Sequence, residues 1–159
     1  MRGPGLISAR WLALFVPLIL IGGALGSQYL GGLYPCEMCH WQRWPHYGAI
    51  AAALLAFVVP QTNNRVALVV LAALLIALSG AIGLFHAGVE YRWWDGITGC
   101  AAAPSLGSGD LLADIMAAPL VRCDVPQWTF AGISLAGLNA LFSLGGAVAI
   151  LMLLKRKAG

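Results

Sequence analysis

The chain has 159 residues, of which 60% are hydrophobic and only 9% charged. Soluble domains carry about a quarter charged residues, so the composition excludes an ordinary soluble globular domain and points to a membrane. The formal net charge of +3 does not mark a nucleic-acid binder, because the basic residues cluster at the chain ends and in loops beside apolar runs, where membrane topology accounts for them.

No Pro/Ser linker or charge run divides the sequence, so residues 1–159 are expected to form one domain. Its apolar stretches approach the ~20 residues that a spanning helix needs. The first covers roughly 11–30, after Arg2 and Arg10. Within it, Ala24-Leu25-Gly26 resembles a signal-peptide cleavage site, but the apolar run continues through Tyr29 and Leu30, so a retained span is expected. Gly22 and Gly26 form a small-xxx-small pair suited to close helix packing.

Next comes Cys36-Glu37-Met38-Cys39-His40, which places a dithiol at the edge of the second span, 41–60. A CxxC pair exists as two thiols or one disulfide and reacts as the thiolate, so this position predicts redox chemistry beside lipid. The second span would open with Gln42, Arg43 and Pro45 in its first turn. There a proline forfeits no hydrogen bond and an arginine can snorkel, while Trp41, Trp44 and Tyr47 supply an interfacial aromatic belt. The polar turn Gln61-Thr62-Asn63-Asn64-Arg65 makes this span an antiparallel neighbour of the third, 66–85. Gly80 and Gly83 in the third span, and Gly145 and Gly146 in the fourth, 130–154, offer flat surfaces for close approach. The expected fold is an all-α membrane protein, an antiparallel four-helix transmembrane bundle with a long outer loop, 86–128. In that loop Asp110 and Asp114 fall on one helical face and Leu111, Leu112, Ile115 and Met116 on another, the pattern of a short helix on the membrane surface or packed against the bundle.

Arg2, Arg10, Arg65, Lys155, Arg156 and Lys157 share one face, which the positive-inside rule makes cytoplasmic together with both termini. The opposite face holds Arg43, Arg92, Arg122, every acidic residue and all four cysteines. Cysteines confined to the exported side suit disulfide chemistry. No repeat or intramembrane ion pair suggests a transport path.

Four cysteines allow three pairings, and pairing Cys36 with Cys39 leaves Cys100 with Cys123. That outer pair is either a loop staple or a second redox pair able to exchange electrons with the first. Cys36, Cys39 and His40 also match the attachment signature of c-type haem, with His86 or Met38 as a further ligand. A membrane-anchored cytochrome is thus a second reading, weakened by the short chain available to enclose a macrocycle and by the two outer cysteines it leaves without a role. No metal site is expected, since the outer cysteines lack the usual zinc-knuckle spacing. A scaffold with two structural staples is the third reading.

Three ordered segments stand out together: Cys36-Glu37-Met38-Cys39 followed by Gln42-Arg43; Phe85-His86-Ala87-Gly88-Val89-Glu90 with Trp93 and Trp94 before Cys100; and Cys123-Asp124, Trp128, Phe130, Gly132 and Ile133-Ser134-Leu135-Ala136 to Asn139. In these residues, their order and their spacing the chain resembles the DsbB family of quinone-dependent membrane thiol oxidoreductases. Two departures are a missing proline near Ile97, frequent in relatives before the first loop cysteine, and His40. The resemblance implies a multi-pass protein of the bacterial inner membrane, with its cysteines periplasmic, that generates disulfides by reoxidising a soluble DsbA-like thioredoxin-fold partner. It further implies that the partner reduces a Cys100–Cys123 disulfide through a mixed disulfide at Cys100. Cys123 then attacks Cys36, and Cys39 passes electrons to a membrane quinone, ubiquinone or menaquinone. Arg43 and His86 would face the quinone, with Gln42 and Glu90 in support. The vitamin K epoxide reductase type performs similar chemistry, but its usual order places the loop cysteines before the CxxC, the reverse of this chain.

Overall fold

The structure is a computed structural model that describes residues 4–98, 101–102 and 120–155. Its long elements are α1 (Pro4–Tyr29), α2 (Glu37–Val58), α3 (Thr62–Glu90) and α4 (Leu135–Lys155). Between α3 and α4 lie four two-residue strands, β1 (Ala101–Ala102), β2 (Leu120–Val121), β3 (Thr129–Phe130) and β4 (Ile133–Ser134), pairing antiparallel as β1 with β2 and β3 with β4. Cys100, Arg2, Arg156, Lys157 and the expected surface helix at 110–116 lie outside the described residues.

The helices pack in a ring, α1 on α2, α2 on α3, α3 on α4 and α4 on α1. Each neighbouring pair runs antiparallel. Trp11 meets Phe57 while Arg43 reaches the Ala24 carbonyl, and Gln42 meets His86 while Ser79 meets His46. Among the described residues three helices, α1, α3 and α4, are long and apolar enough to cross a membrane. Their side-chain distribution is that of a membrane bundle. Alanines fill the interior, including Ala9, Ala13, Ala49, Ala53, Ala72 and Ala73, while Phe15, Ile19, Leu54, Leu74, Leu141 and Phe142 face outward. With lipid outside, packing large apolar groups inward gains nothing, and small residues let backbones approach.

The helices depart from the hydropathy windows at their ends. Helix α1 is already formed at Pro4, the first described residue, and takes Arg10 inside it, where the guanidinium lies 4.1 Å from the Phe57 ring centroid. Helix α2 starts a full turn before Trp41, because Cys36 caps it. Pro45 is therefore interior to the helix rather than in its first turn, and the bond it would otherwise donate is lost. Helix α3 takes in four residues of the expected polar turn, leaving Arg65 to donate from Nε to the Val59 carbonyl at 2.6 Å, and it extends past Phe85 to Glu90. The fourth helix begins at Leu135 and not at 130, since Thr129 to Ser134 form a hairpin whose turn residues Ala131 and Gly132 have φ of 50° and 81°. Positive φ at both positions is the demand of a two-residue hairpin turn. Tyr91 pins it, its hydroxyl donating to the Gly132 carbonyl at 3.0 Å and accepting from the Ser134 amide at 2.8 Å.

The glycines divide. A Cβ on Gly80 would lie 2.9 Å from Leu144, one on Gly83 2.9 Å from the Asn139 side chain, and one on Gly146 3.0 Å from Val16, so these are close approaches, as expected. Gly22, Gly26 and Gly145 have open space where a Cβ would be, so the Gly22/Gly26 pair does not mark a helix contact. Accordingly, Gly83→Ala should destabilise the folded protein by about 1–3 kcal/mol through overpacking, whereas Gly22→Ala should leave thermal unfolding in detergent unchanged; equal effects would contradict this packing.

Candidate functional site

The site is built on the first turn of α2. Cys36 occupies the N-cap with φ −77° and ψ 174°, and its sulfur accepts the Cys39 amide at 3.3 Å. The CxxC spacing places the second cysteine where a capping side chain finds its amide partner, three residues on. The Cys36 thiol donates to the Cys39 sulfur at 3.1 Å. That bond sets the protonation of the pair. It lowers the Cys39 pKa, helped by the Cys36 backbone and the Arg43 charge against the opposing effects of burial and Glu90. The same bond, with burial, raises Cys36 well above the usual thiol range. In the reduced pair the proton is therefore favoured on Cys36 and negative charge on Cys39, at a helix N-terminus that itself favours negative charge.

Cys123 is the third free thiol among the described residues. It is buried with Met38, Val89 and Val121 around Cys36. The reactive atoms of Cys36, His86 and Cys123 all lie within 4.8 Å of one another. Cys36 thus stands between Cys39 and Cys123. The segment bearing Cys123 is tied down by Gln127, whose Nε2 donates to the Tyr34 carbonyl at 2.7 Å.

Below the sulfurs, a chain of buried amides and imidazoles crosses the bundle. Gln42 Nε2 donates to the Met38 carbonyl at 3.2 Å, which fixes the orientation of that amide. The same nitrogen meets His86 Nδ1 at 2.9 Å, so Nδ1 is the acceptor and the His86 proton sits on Nε2. Nε2–H then faces the Cys36 sulfur at 3.6 Å and the Glu90 carboxylate at 3.8 Å. On the other side, Gln42 Oε1 accepts from Asn139 Nδ2 at 2.9 Å, and Asn139 Oδ1 faces His46 Nε2 at 3.0 Å. Ser79 donates to the Gln42 carbonyl at 2.7 Å and Ser143 to Asn139 Oδ1 at 3.0 Å. Two histidines, two amides and two serines from α2, α3 and α4 are thereby joined in one buried network, in which His46 Nδ1 alone among the ring nitrogens is left without a partner.

Arg43 is buried between α2 and α1, donating to Gln28 Oε1 at 2.6 Å and to the Ala24 carbonyl at 3.2 Å. Neither ion pair found among the described residues includes it. A buried cation held only by neutral acceptors favours an anion nearby. It lines a cavity of about 130 Å³ with Cys36, Cys39, Gln42, His46, His86, Glu90 and Asn139, walled by Leu20, Ile21 and Ala24 of α1 and by Leu135 of α4.

The sulfur and nitrogen atoms of Cys36, His86 and Cys123 are near enough to share a metal ion. Gln42 speaks against it, because a ligating Nε2 must be bare and the amide holds the proton there. His40, which a c-type haem would take as axial ligand, is exposed and absent from the cavity lining. Of the residues singled out in the sequence, Cys36, Cys39, Cys123, Arg43 and His86 come together, and Cys100 falls outside the described residues. His86 is buried within α3, one turn before its C-terminal Glu90. Ser79, Ser143 and His46 were not expected here; their signal was a polar side chain inside an apolar run, which needs a partner.

A family model for disulfide bond formation protein DsbB matches residues 8–153. Disulfide bond formation protein B of Polaromonas sp. (strain JS666 / ATCC BAA-500) is 28% identical over 146 residues, covering 87% of this chain and 84% of that protein. An uncharacterized protein of Rickettsia prowazekii (strain Madrid E) is 23% identical over 133 residues, covering 81% and 76%. No solved structure matches the chain.

In the reduced protein, Cys39 should be alkylated by iodoacetamide at pH values well below the ordinary thiol pKa of about 8.5, because a lowered pKa keeps the thiolate until the pH falls through that lower value. Cys36 should remain unreactive over the same range, and Arg43→Met should move the Cys39 profile to higher pH. Two cysteines titrating together near the ordinary value, read by peptide mass spectrometry, would contradict the assignment.

Proposed function

The chain belongs to the DsbB family, and from that premise we propose that it reoxidises a soluble DsbA-like thioredoxin-fold dithiol and passes the electrons to a membrane quinone. Membership makes it a membrane thiol oxidoreductase of disulfide bond formation. The observation that carries the finer reading is the sulfur order Cys123, Cys36, Cys39, with a buried arginine and a ring-sized cavity beyond Cys39.

In this reading α2 enters the membrane at Trp41 and forms a fourth span, both termini are cytoplasmic, and the cysteines lie outside the spans, facing the periplasm of a bacterial inner membrane. The partner's dithiol is oxidised as it reduces a Cys100–Cys123 disulfide, with Cys100 carrying the mixed disulfide. Cys123, left as thiolate, attacks Cys36 in the Cys36–Cys39 disulfide. A Cys36–Cys123 bond forms and Cys39 departs as thiolate. The direction of attack follows from leaving-group quality, since the sulfur with the lower pKa leaves faster, and Cys39 is that sulfur. The partner's second thiol displaces Cys100 from the mixed disulfide and closes the partner's own disulfide. The freed Cys100 thiolate then attacks Cys123 in the Cys36–Cys123 bond, which restores Cys100–Cys123 and releases Cys36, so that the dithiol of Cys36 and Cys39 gives up two electrons and reforms its disulfide.

A quinone supplies the acceptor of two electrons and two protons. The fit rests on size and charge. Engineered cavities of about 150 Å³ take up a benzene ring, close to the 130 Å³ here. Leu20, Ile21 and Leu135 give an apolar wall, and Arg43 provides fixed positive charge beside the electron-donating thiolate. His86 Nε2–H steadies negative charge on Cys36 during exchange.

Purified protein should reduce ubiquinone or menaquinone analogues when given a reduced thioredoxin-fold partner, and assaying both identifies the acceptor. Cys39→Ala should abolish turnover, and Arg43→Met should raise KM for the quinone about tenfold, the value of about 1.4 kcal/mol of lost charge-assisted contact. Unaltered turnover in Cys39→Ala would sink this reading.

A further inference from the structure

We propose that His46 is a binding residue for the reduced ring, its Nδ1 accepting the hydroxyl hydrogen of a hydroquinone, so that the cavity holds hydroquinone more tightly than quinone. This rests on the quinone reading above and deepens it by naming which redox form the site prefers and which atom decides.

The tautomer of His46 is fixed by its surroundings. Asn139 Nδ2 donates to the Ser79 carbonyl at 3.2 Å, which leaves Oδ1 as the end facing His46 Nε2 at 3.0 Å. Ser143 gives its hydroxyl hydrogen to that same Oδ1, and Ser79 gives its own to the Gln42 carbonyl, so the serine oxygens at 3.4 and 2.9 Å from Nε2 present lone pairs to it. Every neighbour of Nε2 is an acceptor. The proton is therefore on Nε2, and Nδ1 is a bare lone pair.

That Nδ1 is buried and has no hydrogen-bond partner, on a side chain 2% exposed. His46 is among the residues lining the cavity. It is seven residues beyond Cys39 on α2, nearly two turns and about 10 Å along the axis, with Arg43 between them on the same helical stripe. Cys39, Arg43 and His46 all line the cavity, so a ring held along that stripe would have Cys39 and Arg43 toward one end and His46 toward the other. Quinone oxygens are acceptors only and face the Nδ1 lone pair unfavourably. The hydroxyl of the hydroquinone is a donor and fills it. His86 offers no such site, since Gln42 already occupies its Nδ1.

The test is equilibrium binding of a short-chain ubiquinone analogue and its hydroquinone to the purified full chain under anaerobic conditions. Wild-type protein is expected to favour the hydroquinone about tenfold, which is about 1.4 kcal/mol, or ~30 mV on the two-electron couple. His46→Phe should lose that preference, the ratio of the two affinities falling to about one. A second measurement needs no change at His46: ¹⁵N NMR of the histidine rings, with His46 identified by replacing His40 and His86 in turn with Asn. Its Nδ1 resonance should move when hydroquinone binds and stay when quinone binds. Equal affinities in the wild type, equal losses in His46→Phe, or an unmoved Nδ1 with hydroquinone bound would each overturn the proposal and leave the function standing. A wild-type chain that binds neither form would overturn both.

Discussion

The hydrogen bond from Cys36 to Cys39 at the head of α2 is the interaction on which the rest of the site depends. It divides one proton unequally between two sulfurs and, in the proposed exchange, decides which sulfur departs and which is attacked, while the bond that the Cys39 amide donates to the Cys36 sulfur puts the helix start at Glu37. Had the helix begun at Trp41, the two cysteines would lie on an open loop with neither the N-terminal amides nor a defined order. Cys39 would also lose its place one turn before Arg43 on a common face. Capping, acidity and direction of exchange are thus one piece of local geometry.

That geometry is held from beneath by the amide and imidazole chain. The surrounding bundle is lined by alanine, so helices lie close and a polar side chain from one can reach the next. Two backbone carbonyls, those of Met38 and Ser79, set the orientation of Gln42 and Asn139. Those amides in turn set the tautomers of His86 and His46. The consequence at the surface is a proton donor facing Cys36, and in the interior an acceptor beside the cavity. Low dielectric raises the cost of any broken member of such a network, so the chain orders the site as well as joining the helices.

Much of this was legible in the residues. Four apolar runs, a CxxC between two of them and an arginine one turn beyond could be read directly, and the family resemblance supplied the order of Cys123, Cys36 and Cys39. The start of α2 was not legible, because cysteine is not among the usual N-cap residues, and hydropathy alone moved the helix to Trp41 and Pro45 to its first turn. Gly22 and Gly26 misled, since a small-residue spacing does not say whether that face meets another helix. His46, Ser79 and Ser143 each signalled a buried partner by standing in apolar sequence, but which partner each finds depends on helix register, which composition does not contain.

The central claim is that Cys36 is the junction through which the two cysteine pairs communicate. Non-reducing peptide mapping of oxidised Cys39→Ala protein, with Cys100 also replaced by Ala, tests it most directly, since only Cys36 and Cys123 then remain. The geometry predicts one disulfide joining Cys36 to Cys123 within a single chain. Two alkylatable thiols after oxidation, or a bond formed only between separate chains, would contradict it.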